Sequence, residues 1–101
     1  MSEKKIRGGS LIARALKEKG IQHVFTLSGG FCNPALEGFM ECQMEVINCP
    51  HEQVAGHMAD GHTRITRKPA VCLVGPEGFA NAVPSMMEAW GERSPVIFIT
   101  G

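Results

Sequence analysis

Glu45-Val46-Ile47-Asn48-Cys49-Pro50-His51-Glu52-Gln53-Val54-Ala55-Gly56-His57-Met58-Ala59-Asp60-Gly61 begins as a short apolar stretch and turns into a helix-like run. Glu45 to Cys49 reads as a strand, and Pro50 opens the helix that carries Glu52. Val54, Ala55, Met58, His62 and Ile65 recur at helical spacing, and Ala55, Gly56, Ala59 and Gly61 leave room for a neighbour to come close. A carboxylate just beyond the carboxyl end of a parallel strand stands where α/β folds place their chemistry. Glu52 is therefore the first candidate for a catalytic residue.

Upstream, Met1 to Gly9 is polar and glycine-rich and is expected to be a mobile N-terminal segment. Ser10 can cap a helix with Leu11, Ile12, Ala15 and Leu16 on one face, ending at Gly20. Gln22 to Leu27 follows as a strand, broken by Ser28-Gly29-Gly30. Asn33-Pro34 predicts a helix with asparagine as its cap and proline in its first position, running to about Glu41.

Downstream, Pro69 to Val74 reads as a buried strand, Gly75-Pro76-Glu77-Gly78 as a turn, Phe79 to Trp90 as a helix and Pro95 to Thr100 as a fourth strand. Strands alternating with helices imply right-handed crossovers and a parallel sheet. The loops after successive strands then gather at one edge: Ser28-Gly29-Gly30, Pro50-His51-Glu52 and Gly75-Pro76-Glu77-Gly78. The last strand has no helix behind it to cover its second face, so the fold is expected to be incomplete in this chain or completed by another subunit.

At 101 residues the chain makes at most one small domain. Its 10 basic and 10 acidic residues balance, which gives no electrostatic pull toward nucleic acid or an anionic membrane. No apolar run approaches the roughly 20 residues that span a bilayer. Cys32, Cys42, Cys49 and Cys72 are irregularly spaced and form no Cys-x-x-Cys pair, and no signal-peptide core precedes residue 20, so a reduced, cytoplasmic protein is expected.

Gly20-Ile21-Gln22-His23-Val24-Phe25 followed by Gly29-Gly30, the block His51-Glu52-Gln53 with Ala55, Met58-Ala59-Asp60-Gly61 and Arg64, and then Val71-Cys72-Leu73-Val74, Gly78, Asn81 and Ser94-Pro95-Val96 run along nearly the whole chain. In these residues the sequence resembles the N-terminal, pyrimidine-binding domain of thiamine diphosphate-dependent enzymes, in the branch of acetolactate synthase, oxalyl-CoA decarboxylase and 2-hydroxyacyl-CoA lyase. The implied fold is α/β, a parallel sheet with flanking helices of the flavodoxin-like, thiamine diphosphate-binding kind. Departures are visible as well. Ser28 stands where the family usually has proline, Pro76-Glu77-Gly78 where it has Gly-Pro-Gly, and Arg67 and Ala70 where glycines are common. Glu77 thereby bears on one wall of the cofactor pocket or on the substrate's approach.

The resemblance implies that Glu52 hydrogen-bonds the aminopyrimidine ring of thiamine diphosphate and promotes the tautomer that takes the thiazolium C2 proton, the cofactor then serving as electron sink. Gly29, Gly30, Gly78 and Asn81 are implied to shape the cofactor pocket, and His51 and Gln53 to face the substrate. In the family the diphosphate and Mg2+ are held by another domain, marked by a Gly-Asp-Gly motif that this chain lacks, and the site lies between subunits. The expected partners are a 2-oxo acid or acyl-CoA substrate and further copies of the chain, as a dimer or tetramer. The whole assembly is expected to make or break carbon–carbon bonds next to a carbonyl, as a lyase or transferase, with the 101-residue chain inactive alone.

Plainer roles stand beside these. Glu52 can serve a helix dipole, and His51 can cap a helix as readily as it lines a cleft. His57 and His62 lie five apart and share no helical face, so no metal site is expected. The loop at Gly75 lacks the lysine and serine of a phosphate-binding loop. Met86, Met87 and Trp90 suit core packing or a subunit contact, and Cys49 a small buried thiol. Two rival functions remain: a non-catalytic regulatory or interaction subunit that keeps the fold without cofactor turnover, and an unrelated flavodoxin-like binding module.

Overall fold

The computed structural model describes residues 5–27 and 29–101, so positions 1–4 of the expected N-terminal segment and Ser28 of the first glycine turn lie outside the described residues. The elements alternate: α1 (Gly8–Glu18), β1 (His23–Thr26), a 3-10 turn (Gly30–Cys32), α2 (Asn33–Glu41), β2 (Glu45–Asn48), α3 (Glu52–Thr66), β3 (Ala70–Val74), α4 (Pro76–Gly91) and β4 (Val96–Thr100). The four strands form one parallel sheet in the order β2-β1-β3-β4. The α/β parallel-sheet fold is as expected.

Side-chain alternation along the two central strands sorts the helices to opposite faces. Val24, Val71 and Leu73 point toward α1 and α2, where they join Ala13, Leu36 and Phe39 in one apolar cluster. Phe25, Ala70, Cys72 and Val74 point the other way and meet Ala55 and Ala59 of α3, with Phe79 of α4 against them. Every residue of β3 is buried, which matches its uninterrupted apolar sequence. β4 at the edge is only partly covered, with Ile97 40% exposed.

Several local expectations are corrected. α1 starts two residues before Ser10, and its cap position, Arg7, makes no side-chain capping bond. Ser10 is buried inside the first turn and its hydroxyl donates to Glu41 at 2.8 Å. The reason is the crossing with α2: a Cβ on Gly9 would lie 2.1 Å from the Pro34 carbonyl oxygen, and one on Gly38 would lie 2.3 Å from that of Gly9. The two helices meet backbone to backbone there, so the first turn must extend through Gly9. Arg7 ties the same crossing from outside by ion pairs to Glu37 and Glu41.

Asn33 is the first residue of α2 and not its cap, because the 3-10 turn runs straight into the helix and leaves Asn33 at φ −56°, ψ −42°. α4 begins at Pro76, three residues earlier than expected, with Gly75 extended as its cap residue and Pro76 in the first turn, where a missing N–H costs nothing. Gly78 is therefore helical and buried.

The buried helix faces also differ from those read off the large apolar residues. α1 buries Gly9, Ser10 and Ala13, while Leu11 and Ile12 are exposed and Ala15 lies outside the core. α3 buries Ala55, Gly56, Ala59, Asp60 and Thr63, and Val54, Met58 and Ile65 are exposed. α4 buries Gly78, Ala82, Ser85 and Ala89 and leaves Met87 and Trp90 outside, so core packing is corrected for those two. Gly56 is a true point of close approach, since a Cβ there would fall 1.8 Å from Ser85 Oγ, but Gly61 has open space around it.

Candidate functional site

β1 feeds α2 on one face of the sheet while its neighbour β3 feeds α4 on the other, so the chain diverges between the carboxyl ends of β1 and β3. Such a switch point opens a crevice beyond the strand ends, where α/β proteins bind ligands. Thr26 and Leu73, paired in register at this edge, are locked by a buried bond in which the Thr26 hydroxyl donates to the Leu73 carbonyl at 2.7 Å. Gly29 and Gly30 follow β1, Glu52 follows β2, and Gly78 follows β3 on the same edge.

Glu52 is the first residue of α3, held there by a helix start that His51 completes. His51 is extended, and its Nδ1 accepts a hydrogen bond from the Gln53 backbone N–H at 3.0 Å. His51 thus caps α3, and its Nε2 lies 4.0 Å from Glu52 Oε1. The Glu52 side chain is only 18% exposed. Gln53 is half-buried beside it.

α4 supplies the rest. The Asn81 amide Nδ2 donates to Glu52 Oε1 at 3.3 Å. At Gly78, one turn earlier, a Cβ would lie 2.5 Å from Glu52 Cγ and 2.6 Å from Oε2, so the carboxylate rests directly on the glycine backbone. Glu52, Gly78 and Asn81 thus come together from segments 26 or more residues apart in sequence, and the close α3–α4 packing through Gly56 and Ser85 keeps them so. Among the described residues nothing lies within 4 Å of an added Cβ at Gly29 or Gly30, and Gly29 at φ −146° has a backbone open to any residue. Among the described residues nothing requires glycine at these two positions.

Glu77 is exposed in the first turn of α4, where a carboxylate complements the helix dipole. Burial pushes the Cys49 thiol up from its ordinary value, against a smaller opposing effect of the Thr26 backbone, and pushes Cys72 up to about 12. Both thiols stay protonated near neutrality and serve packing, with Cys49 Sγ 3.7 Å from Met58 Sδ. Among the described residues no three His, Cys, Asp or Glu side chains are grouped to hold a metal ion.

Asp60 and Arg64 form a structural unit. Arg64 donates to both Asp60 oxygens at 3.0 and 2.8 Å and reaches Glu88 of α4 at 3.1 Å. Burial drives the Asp60 carboxyl up, and the hydrogen bonds and charge of Arg64, together with Ser94 and His57, outweigh it, holding the group below its ordinary value. Sequence reading did not find the link from Asn81 to Glu52. The signal was available in the small residues Gly78, Ala82, Ser85 and Ala89, whose spacing turns that side of α4 toward α3.

A sequence model of the thiamine pyrophosphate enzymes, N-terminal TPP binding domain, matches residues 6–101. The chain is 38% identical over 97 residues to the acetolactate synthase large subunit IlvG of Mycobacterium tuberculosis, covering 95% of this chain and 18% of that protein. It is 35% identical over 99 residues to the acetolactate synthase of Bacillus subtilis, covering 96% of this chain and 17% of that one. Benzoylformate decarboxylase from Polynucleobacter necessarius has the same fold, with a TM-score of 0.84 at 21% identity over 95% of this chain and 18% of that one. The chain spans less than a fifth of the length of each of these proteins.

Proposed function

The chain belongs to the thiamine pyrophosphate enzymes as an acetolactate-synthase-like N-terminal TPP binding domain, and on that premise we propose that Glu52 is the carboxylate that engages the aminopyrimidine ring of thiamine diphosphate. The observation that carries this reading is the placement of Glu52 at the switch-point edge, largely shielded from water, with one oxygen held by Asn81 and the other lying on Gly78. The residues fit such a ring. A carboxylate able to exchange a proton is seated in the space left by the missing side chain at 78, beside the carboxyl ends of the central strands.

When bound, thiamine diphosphate supplies the electron sink for making or breaking a carbon–carbon bond next to a carbonyl. The chain's own part is narrower. Glu52 holds or gives up a proton at the ring nitrogen, Gly29 and Gly30 leave space at the end of β1, and His51 and Gln53 border the substrate side.

The substrate class is a 2-oxo acid or an acyl-CoA. Mg2+ and the diphosphate belong to another domain, and the working unit is a homo-oligomer in which copies cover exposed apolar residues such as Met87 and Trp90. Four free cysteines suit a reducing, cytoplasmic setting. Supplied with thiamine diphosphate, Mg2+ and pyruvate or another 2-oxo acid, the complete assembly consumes the acid, and Glu52→Gln slows it about a hundredfold or more. Equal rates for the two proteins refute the reading, and decarboxylation by the 101-residue chain alone refutes the division of labour.

A further inference from the structure

Glutamate at the start of a helix is a poor instrument for directed proton transfer unless something fixes it. Its three side-chain torsions give it many rotamers, and at a helix N-terminus the backbone amides compete for its oxygens. Glu52 has one such competitor close by, the His51 ring, whose Nε2 is 4.0 Å from Oε1. What opposes these alternatives is the first turn of α4. Gly78 and Asn81 are three residues apart and so share one helical face. One presents bare backbone to Cγ and Oε2, and the other presents an amide donor to Oε1.

We propose that Gly78 and Asn81 are positioning residues that form a two-point clamp on Glu52, acting through its carboxylate and not as ligands of the cofactor. This rests on the assignment of Glu52 made above and adds the device that aims it. The clamp works by shape and by one neutral donor. Gly78 lets the carboxylate settle where any Cβ would expel it, since three Glu52 atoms lie within 2.8 Å of that position. Asn81 then fixes the orientation of the carboxylate by holding Oε1. The neutrality of the donor matters, because a lysine or arginine in its place would bias the carboxylate toward its anion, whereas an amide can serve the acid and the anion alike.

The clamp also accounts for the close α3–α4 contact. Glu52 and its partners lie on different helices, so the aim of the carboxylate depends on the spacing of those helices. Gly56, against which Ser85 Oγ sits in the space of a missing Cβ, sets that spacing one turn further along.

The test uses the complete cofactor-binding assembly and three variants: Asn81→Leu, which keeps the volume and removes the donor, Gly78→Ala, and Glu52→Gln. Exchange of the thiazolium C2 proton of bound thiamine diphosphate is read beside the cofactor's dissociation constant. The clamp predicts that Asn81→Leu and Gly78→Ala slow the exchange by about tenfold to a hundredfold, with affinity within about threefold of wild type. Unchanged exchange in Asn81→Leu, with Glu52→Gln slow, overturns the clamp and leaves the Glu52 assignment standing. Loss of affinity with normal exchange on the bound fraction also overturns it, because Asn81 would then be a cofactor ligand. Fast exchange in Glu52→Gln overturns the assignment itself.

A second readout needs no cofactor. In the unliganded protein the side-chain amide resonances of Asn81 shift when Glu52→Gln replaces the carboxylate, and a spectrum in which they stay in place contradicts the hydrogen bond on which the clamp depends.

Discussion

A residue in the left-handed region follows or ends each of the four helices, and only the first of them is glycine: Gly20, Gln43, Arg67 and Arg93 have φ of 85°, 58°, 61° and 58°. Three of these ends close in the same way. The N–H groups of Ile21, Met44 and Ser94 return to the carbonyls of Leu16, Phe39 and Ala89, satisfying groups the helix leaves open. A side chain in this region costs about 1–2 kcal/mol, partly offset by the greater freedom glycine has when unfolded. Arg67→Gly should therefore raise stability by about 0.5–1 kcal/mol, seen as a higher urea midpoint at unchanged slope.

His62 provides a second residue-scale expectation. Its ring lies 4.3 Å from that of His23 and 5.6 Å from Phe25, at the sheet edge opposite Glu52. Burial first, then the nearby His23 and Lys68, lower its pKa from 6.5, against Glu45, which raises it. The unfolded chain binds this proton more tightly than the folded one, so the stability that neutral His62 contributes is present above about pH 6.5 and is lost as pH falls through the folded value. Thermal unfolding followed from about pH 7.5 to 5 should show that loss, and His62→Gln should flatten the dependence. At this scale the strand-to-helix junction marked Glu52 as a candidate, and the resemblance of the block around it, more than the junction, singled it out. Capping by His51 was one of two open readings, because it depends on which ring nitrogen faces the Gln53 amide, and the link from Asn81 to Glu52 was not legible, because it spans 29 residues.

At the scale of elements, existence and order were readable, and so was the close approach at Ala55, Gly56 and Ala59 of α3, while the faces of α1 and α4 were not. Large apolar residues suggested one stripe for each helix, yet the contacts run along small ones: Gly9, Ser10 and Ala13 on α1, Ala55, Gly56 and Ala59 on α3, and Gly78, Ala82, Ser85 and Ala89 on α4. Helices that approach each other backbone to backbone leave no room for leucine or methionine between them. The bulky residues are displaced to the flanks, as Leu11, Met58, Met87 and Trp90 are. The start of α4 was misplaced for a related reason, since Gly75-Pro76 is a turn signal and a helix start alike, and only the packing of Gly78 against Glu52 selects the second. Gly38→Ala tests this picture. Its methyl would meet the Gly9 carbonyl at 2.3 Å, which neither helix can yield without separating, and a loss of about 1–3 kcal/mol or more is expected in chemical denaturation. A neutral substitution would mean that α1 and α2 are free to part.

For the whole molecule, alternation of strand and helix was enough to specify a parallel α/β sheet with its loops gathered at one edge. Strand order and the division of helices between faces were not contained in that pattern, because they depend on the long-range pairing of β1 with both β2 and β3. That pairing creates the switch point, at whose edge Glu52 lies. The chain is 95% covered by its match to a mycobacterial acetolactate synthase large subunit and spans 18% of it, so the chemistry argued for Glu52 is one part of a larger site.

The central claim is that this carboxylate activates the cofactor. Its most direct test is the rate of hydrogen–deuterium exchange at the thiazolium C2 of thiamine diphosphate bound to the complete assembly, in wild type and in Glu52→Gln. Fast exchange is expected in the wild type and exchange slower by about a hundredfold or more in the variant, with the cofactor still bound in both. Equal exchange rates in the two proteins, both loaded with cofactor, would contradict it.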